Sequence, residues 1–152
     1  MTIHELSGIC WQRNPDPRQQ RAAIVALLKA GPDIHETDKN GVTPLHHAVR
    51  FRSPMAVVTL LRHGAAVNQT CTRSGSTALH RAVTLNGAPG TAGKHVETKR
   101  IVEILLEHGA DPTIKNEQGK RAVDYVRDEE IGRLLSVRST RPARTGRAKT
   151  QL

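Results

Sequence analysis

The side chains from which this chain could build a reaction or hold an ion are eight histidines, two cysteines and one glycine-rich stretch ending in lysine. The stretch, Ala88-Pro89-Gly90-Thr91-Ala92-Gly93-Lys94-His95, comes close to a phosphate-binding loop. Such a loop cradles phosphate with backbone N–H groups, sets a lysine on the outer oxygens and offers a hydroxyl to Mg²⁺. Two parts are missing here. His95 stands where Ser or Thr is needed, and the preceding segment reads as a helix rather than a strand. A nucleotide site is therefore not expected, and the stretch reads as a flexible insertion. His46 and His47 are adjacent, and neighbours i and i+1 on a helix do not share a face. No His, Cys and Asp residues recur with metal-ligand spacing, so neither a metal nor a cofactor is expected. Cys10 suits a small buried apolar position. Cys71 sits beside Arg73, whose charge would lower a thiol pKa, so a redox role has to be weighed against simple burial. The two cysteines form no C-x-x-C pair and no disulfide framework, which points to a reducing, cytoplasmic compartment. Nothing in this inventory assembles into a catalytic site, and the chain is not expected to be an enzyme.

The elements that position these residues recur. Ile24-Val25-Ala26-Leu27-Leu28-Lys29-Ala30-Gly31, Val57-Val58-Thr59-Leu60-Leu61-Arg62-His63-Gly64 and Val102-Glu103-Ile104-Leu105-Leu106-Glu107-His108-Gly109 align on their glycines, first 33 and then 45 residues apart. Gly41-Val42-Thr43-Pro44-Leu45-His46-His47-Ala48-Val49 precedes the second of these, and Gly75-Ser76-Thr77-Ala78-Leu79-His80-Arg81-Ala82-Val83 precedes the third. A weaker copy begins at Gly119. Thr43 is an N-cap and Pro44 suits the first helical position, where no N–H is needed. Leu45, Ala48 and Val49 then share one face, and this helix should end near Phe51. A second helix should begin around Pro54, bury Val57, Val58, Leu60 and Leu61, and stop at Gly64, where the position after the cap favours φ > 0. One such helix pair cannot bury its own apolar face, whereas stacked pairs can.

Gly41-x-Thr43-Pro44-Leu45-His46-x-Ala48, with Gly109-Ala110-Asp111, resembles the ankyrin repeat, and the resemblance covers roughly residues 24 to 125. It implies an all-α solenoid of stacked helix-turn-helix pairs with projecting β-hairpin loops, about four units including degenerate caps. These fall near 1–37, 38–71, 72–115 and 116–137, a domain of 1–137 followed by a disordered basic tail, 138–152. Thr43, Pro44, Leu45, His46, Gly64, Thr77, Leu79, His80 and Gly109 occupy the structural positions of the motif, with His46 and His80 tying neighbouring turns together. The first unit lacks the motif. Thr2-Ile3-His4-Glu5 looks like a capping box opening a helix that Asn14-Pro15-Asp16-Pro17 breaks, with a restart near Arg18. The last unit has Asp124 in place of His and a short second helix, Glu129 to Val137. The third unit carries an 11-residue excess around 86–95.

The resemblance implies binding through the hairpin tips and the concave face of the first helices. The exposed positions there are Lys39, Asn40, Val42, His47, Arg50 and Phe51; then Arg73, Ser74, Ser76, Arg81, Thr84 and Leu85; then Glu117, Gln118, Lys120 and Tyr125. Lys39, Arg50, Arg73, Arg81 and Lys120 outnumber Glu117, so the expected partner is a protein with an acidic surface or segment. The formal net charge is +9, five of it between Arg138 and the end. The alternative is an electrostatic binder of nucleic acid or another polyanion through body and tail, although the tail has no aromatic residues to stack on bases. Thr150-Gln151-Leu152 also has the shape of a C-terminal PDZ ligand. A monomer with no membrane span is expected, the longest apolar run being Ala22 to Leu28.

Overall fold

From Pro17 onward every described helix begins where the sequence supplies a cap or a proline, apart from the helix that follows the insertion. The computed structural model describes residues 6, 8, 9, 16–31, 33–84 and 95–139. Helix α1, Pro17–Lys29, opens on Asp16, whose Oδ1 accepts from the N–H groups of Arg18 at 2.8 Å and Gln19 at 3.4 Å. Helix α2, Pro44–Arg50, opens on Thr43. The Thr43 hydroxyl oxygen accepts from the His46 N–H at 3.3 Å, while His46 Nδ1 accepts from the Thr43 N–H at 3.3 Å. This is a capping box in which an imidazole takes the role more often given to Glu or Gln. Thr77 and His80 repeat it at the start of α4, Ala78–Val83. Helix α3 spans Pro54–Arg62, α5 spans His95–Glu107, a 3-10 turn covers Ala122–Tyr125, and α6 spans Glu129–Ser139. The last helix thus runs two residues past the expected Val137.

Gly64 ends α3 with φ +93°. Its N–H donates to Leu61 O at 3.1 Å and the Ala65 N–H to Leu60 O at 3.0 Å, the two bonds of a Schellman motif. Gly109 and Ala110 close α5 with the same pair of bonds, to Leu106 and Leu105. His63 Nδ1 donates to Thr59 O, and His108 Nδ1 to Ile104 O, each at 2.8 Å, adding a second bond to a carbonyl that already accepts the backbone N–H of the same histidine.

The short helices α2 and α4 and the 3-10 turn form one layer; α1, α3, α5 and α6 form the other. The core lies between them. Leu45, Val49, Val57, Leu60, Leu79, Ile101, Leu105 and Leu135 are buried in it, so each pair closes its apolar face only against the next. Leu6 is fully buried at the N-terminal end and Ile9 packs against the same core. The capping box of residues 2–5, Cys10, Leu85, the 86–94 part of the insertion and residues 140–152 lie outside the described residues.

The projecting loops are tight turns, and no strand occurs among the described residues. Each is closed by one backbone bond from its first to its last residue: Asp38 to Val42 at 3.1 Å, Cys71 to Ser76 at 3.0 Å, Asn116 to Lys120 at 2.9 Å. Neighbouring turns are joined by Thr72 N–H to Asn40 O at 3.1 Å and Glu117 N–H to Ser74 O at 3.0 Å. Gly41 makes the first junction possible. It has φ +71°, and a Cβ there would lie 2.5 Å from the Thr72 nitrogen.

Candidate functional site

The turn that ends at Ser76, helix α4 and the last residue of α2 enclose a groove of about 250 Å³ lined by Arg50, Ser74, Ser76, His80, Arg81 and Thr84. The cap at Thr77 fixes where α4 starts, which sets Arg81 one turn into the groove and Thr84 at its far end. Arg50 projects from the end of α2 and is exposed; Arg81 is half-buried. Neither pairs with a carboxylate among the described residues. Arg81 Nε is buried and has no hydrogen-bond partner among them, and its Nη2 lies 3.9 Å from Cys71 Sγ.

His80 lines the groove, but both its nitrogens are used. Nδ1 accepts from the Thr77 N–H at 3.2 Å and Nε2 donates to Lys120 O at 2.9 Å. His46 is held alike, with Nε2 donating to Ser76 O at 3.2 Å. A donor at Nε2 and an acceptor at Nδ1 define a neutral imidazole. Burial, helped by the charge of Arg81, pushes the His46 pKa down to about 4. Each of these histidines therefore ties its own helix start to the turn of the next unit.

Of the expected contact positions, Arg50, Ser74, Ser76, Arg81 and Thr84 meet in this groove. Lys39, Arg73, Glu117, Gln118 and Lys120 are exposed on the turns; Asn40, Phe51 and Tyr125 are half-buried. The Tyr125 hydroxyl donates to Gln118 Oε1 at 2.9 Å and accepts from Asn116 Nδ2 at 2.9 Å, and its ring meets the His80 ring edge-on at a centroid distance of 6.4 Å. Two positions need correcting. Val42 was expected to be exposed and is buried, its N–H and C=O both bonded to Asp38 to close the turn. His47 was also expected at the surface and is 8% exposed, with Nε2 3.6 Å from Asp38 Oδ2. Burial outweighs the pull of Asp38 and takes the His47 pKa down to about 4. Leu85 lies outside the described residues.

Cys71 is buried. Burial pushes its thiol up, but hydrogen bonds with Ser74, the backbone and Arg81 together bring it below the usual range. The cation involved is Arg81, not the sequence neighbour Arg73, whose side chain is exposed at the turn.

Sequence reasoning missed two buried polar side chains that join the units. Arg52 is 7% exposed and has φ +56°. Its guanidinium donates to Ala82 O and Thr84 O at 2.9 Å each, and more weakly to Arg81 O and Val49 O. It thereby caps the C-terminus of α4 from the neighbouring unit, as a cation should. Gln20 is 1% exposed; its Nε2 donates to Ile9 O at 3.1 Å and its Oε1 accepts from Ser53 Oγ at 2.6 Å. That bond also explains why Ser53, at the N-cap of α3, makes no capping bond with its side chain. Among the described residues, no three His, Cys, Asp or Glu side chains gather as a metal would require, and no helix is long and apolar enough to cross a membrane.

Comparison with known proteins gives a consistent result. A family model described as ankyrin repeats in three copies matches residues 18–116. The chain is 34% identical over 123 residues to ankyrin repeat and SOCS box protein 11 of Danio rerio, covering 81% of this chain and 38% of that protein. It is 40% identical over 95 residues to an ankyrin repeat protein of fowlpox virus, covering 61% of this chain and 25% of that one. It is 34% identical over 122 residues to the B-cell lymphoma 3 protein homolog of Mus musculus, covering 80% of this chain and 25% of that one. The chain thus spans well under half the length of these relatives.

Proposed function

This chain belongs to the ankyrin-repeat family, whose repeats are generally non-catalytic modules of protein–protein interaction, and on that premise we propose that it binds an acidic surface or segment of another protein through the groove of α2 and α4. The observation that carries this is the pair Arg50 and Arg81, which line the groove without a carboxylate partner among the described residues. Exposed Lys39, Arg73 and Lys120 on the adjoining turns extend the same sign of charge. A field of one sign steers an oppositely charged partner and disfavours wrong ones. The hydrogen bonds that link each turn to the next hold this surface in place before binding, which lowers the ordering cost of association. We assign no reaction to the chain, and we place it as a monomer in the cytoplasm, a compartment in which Cys71 stays a thiol.

The test is capture. The full chain, immobilised, is exposed to host lysate beside a variant carrying Arg50→Glu, Arg73→Glu and Arg81→Glu. A protein retained by the native chain and lost by the variant is the expected result. Retention by both would remove the groove from the interface. Capture of nucleic acid alone, abolished by nuclease, would replace the protein-binding function with electrostatic binding of polyanions.

A further inference from the structure

The hydrogen-bond donors in the groove can be followed one by one. Ser74 Oγ donates to Ser76 Oγ at 3.0 Å, so the Cys71 thiol, 3.0 Å from Ser74 Oγ, is the donor to Ser74. This relay leaves the Ser76 proton available to the groove. Thr84 Oγ1 donates to Arg81 O at 3.1 Å and is thereby spent. His80 has both nitrogens engaged on the scaffold. What remains is Arg81 Nε–H, buried and unpartnered among the described residues, the Ser76 hydroxyl and the guanidinium of Arg50. The groove is therefore rich in donors and carries two positive charges, and it has no acid of its own. A buried donor left unpaired is a cost that a ligand oxygen would remove.

We propose that this groove is a phosphate pocket that seats the phosphoryl group of a phosphorylated Ser, Thr or Tyr side chain on the protein partner; this rests on the binding function proposed above and specifies its ligand. Charge selects phosphate over carboxylate. A carboxylate supplies one negative charge against two guanidinium groups, whereas a phosphate monoester carries about −1.5 to −2 at neutral pH and offers three acceptor oxygens. Arginine forks suit such oxygens geometrically. A protein-borne phosphate fits better than a nucleic acid, because the groove is a single pocket and no Phe, Tyr or Trp lines it to stack a base.

The test is an NMR titration of the ¹⁵N-labelled full chain, following the arginine Nε–Hε resonances. The probes are inorganic phosphate, O-phosphoserine, acetate and a short single-stranded DNA oligonucleotide, at an ionic strength held constant with NaCl. Phosphate should shift one Nε–Hε resonance saturably, and that resonance should be missing in Arg81→Lys. Arg81→Lys keeps the charge but removes the Nε donor, so phosphate should bind it about tenfold more weakly. Arg50→Gln, at an exposed position and expected to fold normally by circular dichroism, should weaken phosphate by about the same factor. A response to phosphate no larger than to NaCl would overturn the pocket while leaving the acidic-partner function to the capture experiment. Acetate binding as well as phosphate would overturn the choice of phosphate and leave a carboxylate ligand. An oligonucleotide binding more tightly than O-phosphoserine would overturn the protein-borne source.

Discussion

Replacing Arg52 tests how the units are joined. Its guanidinium holds Ala82 O and Thr84 O at 2.9 Å, carbonyls at the end of a helix in the next unit, from a position that is 7% exposed. In Arg52→Ala both carbonyls lose their partner. A buried polar group left unsatisfied costs about 1–3 kcal/mol, so two cost roughly 2–6 kcal/mol. Two effects reduce this. The buried guanidinium is itself held below its ordinary pKa by desolvation, and removing it relieves that penalty. Water entering the vacated space restores part of the bonding. The net expected cost is about 2–3 kcal/mol. A second variant separates the side chain from the backbone. Arg52 has φ +56°, a conformation that costs an L residue roughly 1–2 kcal/mol and costs glycine almost nothing. Arg52→Gly should therefore be about 1 kcal/mol more stable than Arg52→Ala, although it has fewer atoms. Equilibrium urea unfolding followed by circular dichroism reads both values. An Arg52→Ala cost under about 0.5 kcal/mol, the range of ordinary surface changes, would refute the capping role. A glycine variant less stable than the alanine one would refute the strain.

The pH dependence follows from His46 and His47, both taken down from 6.5 to about 4 by burial. Above pH 6.5 they are neutral folded and unfolded, and their full contribution to stability is present. As the pH falls from 6.5 toward 4, the unfolded chain binds protons that the folded chain refuses. Stability should then drop by about 1.4 kcal/mol per pH unit for each histidine, visible as a falling urea midpoint. His47→Gln should roughly halve that slope, and a midpoint unchanged between pH 7 and 5 would contradict the burial of both rings. Gly41→Ala should destabilise more than Gly119→Ala. Both glycines have φ +71°, but only at Gly41 does the new Cβ meet the neighbouring turn, whereas Gly119 has nothing within 4 Å. Calorimetry that found the two variants equal would dispose of the Thr72 contact. Leu105→Ala, at a fully buried position in α5, should cost roughly 2–5 kcal/mol in chemical unfolding, and a cost below about 1 kcal/mol would place Leu105 outside the core.

The helices were legible because their signals are local. Asp16-Pro17, Thr43-Pro44 and Thr77 act on N–H groups two or three residues away, and Gly64 and Gly109 act on carbonyls within one turn. Such contacts lie inside any short window of sequence, so these caps and stops fell within a residue of where the pattern put them, whereas α6, with no such stop signal, runs two residues past Val137. The groove was legible in part. Repeat geometry brought Arg50, Ser74, Ser76, Arg81 and Thr84 onto one surface, but it misplaced Val42 and His47. Both turn inward around Asp38, a residue that pattern alone does not mark as the centre of a turn.

The sequence by itself thus determined the repeat, its helix starts and stops, the family it belongs to and the side on which basic residues gather. Only the tertiary structure decided which polar groups are structural and which remain open to a ligand. Arg52 finds Ala82 30 residues on, Gln20 finds Ser53 33 residues on, and His46 finds Ser76 30 residues on. These spacings equal about one repeat, so each partner comes within reach only when one unit has stacked on the next. Arg81 shares the charge of Arg52 and differs in fate for the same reason: stacking sets carbonyls before one guanidinium, while the other belongs to a residue that lines a groove and its buried Nε has no partner among the described residues. A residue type fixes what a side chain can donate, and the packing of neighbouring units fixes whether the scaffold has already accepted it.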